Sequence, residues 1–507
     1  MKARNLFLSL IAVAAICSCN KEMDEPVADS EVLSEDTYIK VNIVAANDDT
    51  KGTEGGTSAG TAQEHEVKNV MLAFFTSSGD FVEAREYDDF TWENSASANV
   101  ERVSSVVVVL KGKTIVPRQV IAVLNYTPDL KAAVEGVATR TAFYQLIADS
   151  PISNISGEYF LMSNSVYMDG ASVNYYNQIA DSHMYTGDTP PAGYKPLDIY
   201  VERVAAKVNV SGTPTGIIQT ITLHSGDELH YYPTITGVNL TSTANKSFLL
   251  KHIHDYTGES GWTWPFDQWN DPINRRSYWA NSYDGAAGYT KVSYAGIGTE
   301  TEWTRYYNEN TNHANHSQLL VSASIKQAAD AYTVNPSDPV IGDLVKFGPT
   351  YYTKDDFLTV VANEVAALGV KVGGVAFDKS SLVIAPKTGF YSSVALATSV
   401  AFDDPAMKTT TETKLADYDD ILYWKDGKSY FFTQVEHFGP DAGVNTFGLV
   451  RNHLYDITIN SIRGLGTPVV SETDPIDPEK PSDLDYNLAA KINILRWKVV
   501  SQSVDLN

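Results

Sequence analysis

The sequence predicts an all-β protein built as sandwiches, and three observations carry that prediction. Tyr, Val, Thr, Ser and Asn are plentiful, most apolar runs are short, and long amphipathic helical patterns are scarce. At 507 residues the chain has room for two or three domains and a sizeable core. A formal net charge of −24 argues against nucleic acid or an anionic membrane surface as partner, since both would repel it.

In chain order, Lys2 and Arg4 precede an apolar run from Leu6 to Ile16, too short to span a bilayer as a helix. The run ends in Ile16-Cys17-Ser18-Cys19, which resembles a bacterial lipobox. Cys19 fits lipidation better than Cys17, which follows the bulky Ile16; an ordinary signal peptide cut nearby is the alternative. These are the only two cysteines, so the processed chain is expected to have neither disulfide nor thiol chemistry. Asn20-Lys21-Glu22-Met23-Asp24-Glu25 resembles the acidic surface-export tract of some Gram-negative lipoproteins. The first strand, Tyr38 to Ala46, alternates cleanly. Ile39, Val41, Ile43 and Ala45 face one way, and Tyr38, Lys40 and Asn42 the other. It runs into Asn47 to Gln63, rich in Gly, Ser and Thr, with one basic residue, Lys51. Exposed flexible backbone suits a trypsin-like cleft, so Lys51 is a candidate cleavage site. The plainer reading is a solvated loop lysine.

Val67 to Phe75 and Phe81 to Tyr87 read as strands joined at Ser77-Ser78-Gly79-Asp80. Val100 to Leu110 and Gln119 to Asn125 read as buried strands, and Asp129 to Ala148 as a short helical excursion carrying Leu130, Val134 and Leu146. Leu197 to Val210 reads as one strong strand with an Arg203-x-x-x-Lys207 pair. Ser211-Gly212-Thr213-Pro214 breaks the pattern, Ile217 to Leu223 begins another strand, and a domain boundary is expected near here. Farther on, Trp262, Trp264, Trp269, Trp279 and Trp303 lie among tyrosines in a loop-rich stretch. They read either as a sugar-binding platform or as an insertion packing its own aromatics. His252, His254, Asp255, His313 and His316 fit no zinc spacing, so no metal or other cofactor is assigned. No GxSxG elbow, HExxH or P-loop occurs, which leaves nothing to argue an enzyme from.

Thr467 to Asp485 holds four prolines and a run of acids and is expected to be an extended, solvated tether. Lys491 to Asn507 follows, free of Gly and Pro. Ile492 and Ile494 alternate with Asn493; after a slip in phase Trp497 and Val499 point one way, and Val500, Val504 and Leu506 form a second set. Such a strand either closes the chain's own sheet or is meant for another molecule's sheet.

Gly448 to Gly466 (GLVRNHLYDITINSIRGLG) reads as a strand in which Leu454, Ile457 and Ile459 are buried, with Arg451, Asn452 and Tyr455 at its start. It resembles the Arg-Asn-x-x-Tyr-x-Val/Ile-x-Ile strand near the end of the fimbrillins, the major subunits of type V pili. The Glu202 to Val208 strand resembles the one at their domain junction, and Trp497 to Leu506 resembles their terminal donor strand. The resemblance implies two transthyretin-like β-sandwich domains, 52–205 and 206–466, after a signal peptide (1–19) and a propeptide (20–51), with a Pro-rich tether and donor strand over 467–507. It implies a precursor lipidated on Cys19 and held transiently at the outer membrane. An Arg/Lys-specific protease would then cut after Lys51, where the best-known members carry Arg, and remove the first strand. The donor strand of a neighbouring copy would fill the groove. Accessory tip and anchor pilins are further implied partners. A removable strand together with a donor tail favours a stalk subunit of a cell-surface fimbrium supporting adhesion and biofilm formation. The alternative is a surface glycan-binding lipoprotein using Trp262 to Trp303.

Overall fold

Alternating apolar runs become strands wherever one face has a core to cover, and the computed structural model shows this in two units with separate main cores. It describes residues 37–46, 57–58, 60–61, 63–88, 93–94, 100–110, 115–153, 159–169, 172–187, 189–253, 280–285, 288–312, 314–437 and 447–497. The architecture is all-β with a few short helices.

The N-terminal strands are β1 (Thr37–Ala46), β2 (Val70–Phe75), β3 (Phe81–Tyr87), β4 (Val100–Val109), β5 (Gln119–Leu124), β6 (Met162–Asn164), β7 (Met184–Thr186) and β8 (Leu197–Arg203). They belong to one sheet in the order β3-β2-β5-β6-β8-β1-β4, with β7 paired to β1. Strands from both ends of that order send side chains into one core, among them Leu72, Phe74, Val106, Val108 and Ile199. β2 and β3 form the expected hairpin, turned at Gly79 with φ +91°. β2 and β5 are buried at every position, because Met71, Phe75, Ile121 and Val123 on their second face pack under two helices. These are α1 (Pro128–Glu135), capped by Thr127 with proline in its first turn, and α2 (Arg140–Tyr144), capped by Thr139. β4 departs from the buried reading: Val106 and Val108 point into the core, whereas Val107 and Val109 are exposed.

Leu197 to Val210 is not one strand. β8 ends at Arg203, Val204 and Ala205 are buried in the turn, and β9 (Ala206–Ser211) enters a different sheet. The apolar alternation runs through both strands, so nothing in the pattern marks the turn. The remaining large strands are β10 (Glu228–Thr241), β11 (Trp303–Tyr307), β12 (Gln318–Gln327), β13 (Lys428–Gln434), β14 (His453–Arg463) and β15 (Asn487–Trp497). Two five-stranded sheets face each other. One runs Thr57–Ser58, β15, β14, β9, β11; the other runs Gln219–Thr222, β10, β12, β13, Thr467–Pro468. Val208, Val210, Tyr455 and Ile457 meet Val238, Leu319, Val321 and Phe431 between them. β10 bulges at Gly237, where a Cβ would stand 2.1 Å from the Gly298 carbonyl oxygen, so only glycine fits.

A helical insertion between β12 and β13 was not anticipated from the sequence. Helices α3 (Lys354–Ala366) and α4 (Ala406–Leu415) close a separate small core with Val345, Phe357, Val361 and Tyr418. Phe357, Leu358, Val361, Ala362 and Val365 do carry the helical spacing, and Thr353 caps the helix, accepting from the Asp356 N–H.

Candidate assembly site

β1 lies in the interior of its sheet. Along one edge it pairs antiparallel with β4, from Tyr38 opposite Val109 to Val44 opposite Val103. The other edge is shared. Thr37, Tyr38 and Ile39 pair antiparallel with β7, and Val41 to Val44 pair parallel with Leu197 to Tyr200 of β8. Between them the Lys40 N–H donates to Tyr194 Oη at 2.9 Å, and Tyr194 Oη donates to the His183 carbonyl at 2.6 Å. Tyr185 stacks on Tyr38 and meets Tyr194 edge-on. Ile39 and Val41 have no exposed surface. Burying those two side chains stabilises by about 3–6 kcal/mol gross. Removing β1 would leave β4 and β8 roughly 10 Å apart, two strand spacings, with both backbone edges unpaired.

The second half of the site is the junction between the two units, where the paired sequence motifs meet. Glu64, downstream of Lys51 in the chain, is fully buried. Its carboxylate takes Lys207 Nζ at 2.6 Å, Tyr306 Oη at 2.5 Å and the Thr61 N–H at 2.7 Å, while its carbonyl accepts from Arg203 Nε at 2.7 Å. Arg203 and Lys207, four residues apart on either side of the turn, therefore grip one residue. Burial raises the Glu64 carboxyl, but the bonds from Lys207, Tyr306 and Thr61 and the Lys207 charge together hold it below its ordinary value. The Arg451-Asn452-x-x-Tyr455 motif closes the junction from the other side. The Arg451 backbone N–H donates to Glu309 Oε1 at 3.1 Å and its Nε to Oε2 at 3.1 Å; Nη1 reaches the Leu249 carbonyl at 3.0 Å and Nη2 the Phe248 carbonyl at 2.7 Å. Asn452 adopts φ +59°, its N–H donates to the Ala205 carbonyl at 2.7 Å, and its Oδ1 accepts from the Arg203 N–H. Tyr455 Oη accepts from the Val450 N–H at 2.7 Å. Buried beside them, Glu202 lies 3.5 Å from Lys251, and burial pushes its carboxyl up. Sequence reading noted these motifs but missed Glu64, whose partners come from far along the chain.

The structure places the other expected residues unevenly. Cys19, Lys51, Val499, Val500, Val504 and Leu506 lie outside the described residues, as do Trp262, Trp264, Trp269, Trp279, His254, Asp255 and His313. Ile43 lies in β1, its backbone opposite Ile199 and Ser104. Ile492 and Ile494 fall in β15, paired antiparallel with Ile457 and Tyr455 of the chain's own β14, and Trp497 ends that strand. The expected solvated tether is corrected as well. Ile476, Leu484 and Tyr486 are buried, Thr467 Oγ1 donates to the Glu479 carbonyl, and Lys428 pairs with Glu472 at 2.7 Å. Spaced apolar residues between the prolines dock the segment on the sandwich, which its mean composition hides. Trp303 belongs to β11, and its indole N–H donates to the Val238 carbonyl at 2.9 Å. His252 stacks between Phe248 and Tyr144. Among the described residues no helix is long and apolar enough to cross a membrane.

Known proteins offer remote likenesses. A "putative cell adhesion protein" from Parabacteroides distasonis aligns over 92% of this chain and 98% of its own, at 15% identity and a TM-score of 0.41. A second "putative cell adhesion protein", from Bacteroides eggerthii, aligns over 91% and 98% at 10% identity and a TM-score of 0.38. A fimbrial assembly protein from Parabacteroides distasonis aligns over 60% and 85% at 9% identity and a TM-score of 0.27. Among curated proteins none matches. Residues 422–503 match the family described as major fimbrial subunit protein type IV, fimbrillin, C-terminal, a span that takes in β13, β14, the Arg451 motif and β15. The match covers the C-terminal region alone, and through it this chain resembles the fimbrillins.

Proposed function

We propose that this chain, a structural protein rather than an enzyme, is the polymerising stalk subunit of a surface fimbrium that supports adhesion and biofilm formation. Its precursor is lipidated on Cys19, an Arg/Lys-specific protease cuts after Lys51, and β1 leaves its slot to be replaced by the tail of a neighbouring copy. One observation carries the reading. β1 is an interior strand, yet the described chain resumes after it in the opposite sandwich, with Thr57 and Ser58 beside Arg496 and Trp497 of β15. A cut in the intervening segment severs β1 from everything except its sheet pairing. The donor is narrowed relative to the sequence expectation. The backbone at Ile492 and Ile494 pairs with the chain's own β14, so the donor begins after Trp497, with Val499, Val500, Val504 and Leu506 as its apolar residues. Tip and anchor pilins would end and root such a filament.

The experiment is N-terminal sequencing of surface-assembled protein from wild type and Lys51→Ala. Wild type should begin at Gly52, and the variant should stay monomeric with β1 retained. Normal polymers from Lys51→Ala, with an unchanged N-terminus, would displace the cut from this site.

A further inference from the structure

The outer edge of β1 has a one-residue break. β7 ends its pairing with Met184 opposite Ile39, and β8 begins with Leu197 opposite Val41. Among the described residues no strand residue faces the Lys40 N–H, and the Tyr194 hydroxyl occupies that place. The hydroxyl proton is committed to the His183 carbonyl at 2.6 Å, so the oxygen presents a lone pair to the slot and acts there only as an acceptor. Part of its support does not involve β1. The Tyr194 N–H donates to the Pro191 carbonyl. The His183 ring Nδ1 accepts from the Ala180 N–H, Asp181 pairs with Arg118 at 2.5 Å, and the Ile179 N–H donates to the Arg118 carbonyl. The segment thus stays tied to β5 through residues outside 37–46.

We propose that Tyr194 is the positioning residue of the slot: its hydroxyl substitutes for strand backbone and takes one N–H from whichever strand lies there. The removable strand uses it first through Lys40, and a second copy's tail uses it afterwards. This rests on the donor-strand reading above and adds to it a constraint on the incoming chain. At one position the donor must carry a free N–H, so neither proline nor an N-alkylated residue fits. A chain lying in a phase that turns no N–H to that point leaves the hydroxyl oxygen and the unpaired group facing each other at a half-buried sheet edge.

The test uses the full chain, cut by trypsin in the 47–63 loop and kept dilute, with a fluorescent synthetic peptide copying Lys491 to Asn507. A series of the same peptide carries one backbone N-methyl group at each position in turn. Wild type should bind the unmodified peptide, and Tyr194→Phe, which keeps the ring, should bind it about tenfold more weakly. One N-methyl position should weaken binding to wild type by the same factor while leaving Tyr194→Phe unaffected. Equal binding by wild type and Tyr194→Phe overturns the role of Tyr194 and leaves donor-strand exchange standing. A weaker Tyr194→Phe with the same N-methyl profile as wild type also overturns it, since the ring would then act only in packing. If cut wild type binds no tail peptide at all, the donor-strand reading itself falls, and this inference with it.

Discussion

Glu64 has no exposed surface, yet it is held ionised by two partners from the second sandwich and tied through its carbonyl to Arg203 of the first. A single residue therefore anchors the stretch that would become the new N-terminus and pins the two units at their junction. Glu64→Gln keeps the shape and removes the carboxylate charge that faces the nearly buried Lys207 ammonium at 2.6 Å. The expected loss is about 3 kcal/mol, read as a lower urea midpoint at unchanged slope. The sign with pH follows from the depressed carboxyl. Its stabilisation is complete above the ordinary value of 4.5 and is lost as pH falls through the folded value, so the difference between wild type and Glu64→Gln should shrink below pH 4.5. A gap that persists undiminished into acid would show that the charge is not what stabilises.

At the scale of elements, β15 and the residues after it part company. β15 pairs with β14 along nearly its whole length, from Asn487 opposite Arg463 to Arg496 opposite His453, and Leu488 and Ala490 pack against the sandwich core. Truncation after Trp497 should leave the melting temperature of the uncut monomer within a few degrees of full length and abolish polymer growth. Truncation after Asp485 removes β15 as well and should lower the melting temperature by about 10 °C, as loss of several kcal/mol of apolar cover requires. Equal melting of the two truncations would mean that β15 contributes nothing to its own sheet. The strand itself was legible from its β-branched alternation. Its partner was not, because an alternating strand fits its own sheet and a neighbour's equally well until a register is set by contacts far along the chain.

At the scale of the whole molecule, the donor-strand reading proposed above pairs the β1 slot of one sheet with a tail that follows β15 of another, so on that reading each copy offers one of each and the contact between copies is heterologous. It propagates as a filament instead of closing as a dimer. Copies remain strongly acidic after the cut and repel one another, so growth after cleavage should accelerate as salt rises, up to the point where screening is complete. Light scattering of cut subunits across an ionic-strength series reads this directly. An excess of a synthetic peptide copying Thr37 to Ala46 should refill the slot and slow growth, whereas a scrambled peptide of the same composition should not. Growth indifferent to the native peptide would place the contact elsewhere.

The sequence by itself determined the all-β class, the alternation of β1, the β2–β3 hairpin and a short helical excursion from Asp129, since each depends on residues within one turn or one strand of each other. It also marked Arg203, Lys207, Arg451, Asn452 and Tyr455 as unusual, without saying what they hold. Only the tertiary structure decided that Leu197 to Val210 divides between two sheets, that the Pro-rich segment docks, and that Glu64 is the residue those basic side chains grip. Glu64 lies 139 residues from Arg203 and 242 from Tyr306. A buried charge is set by what surrounds it in space, and no periodicity along the chain records neighbours brought together over such separations.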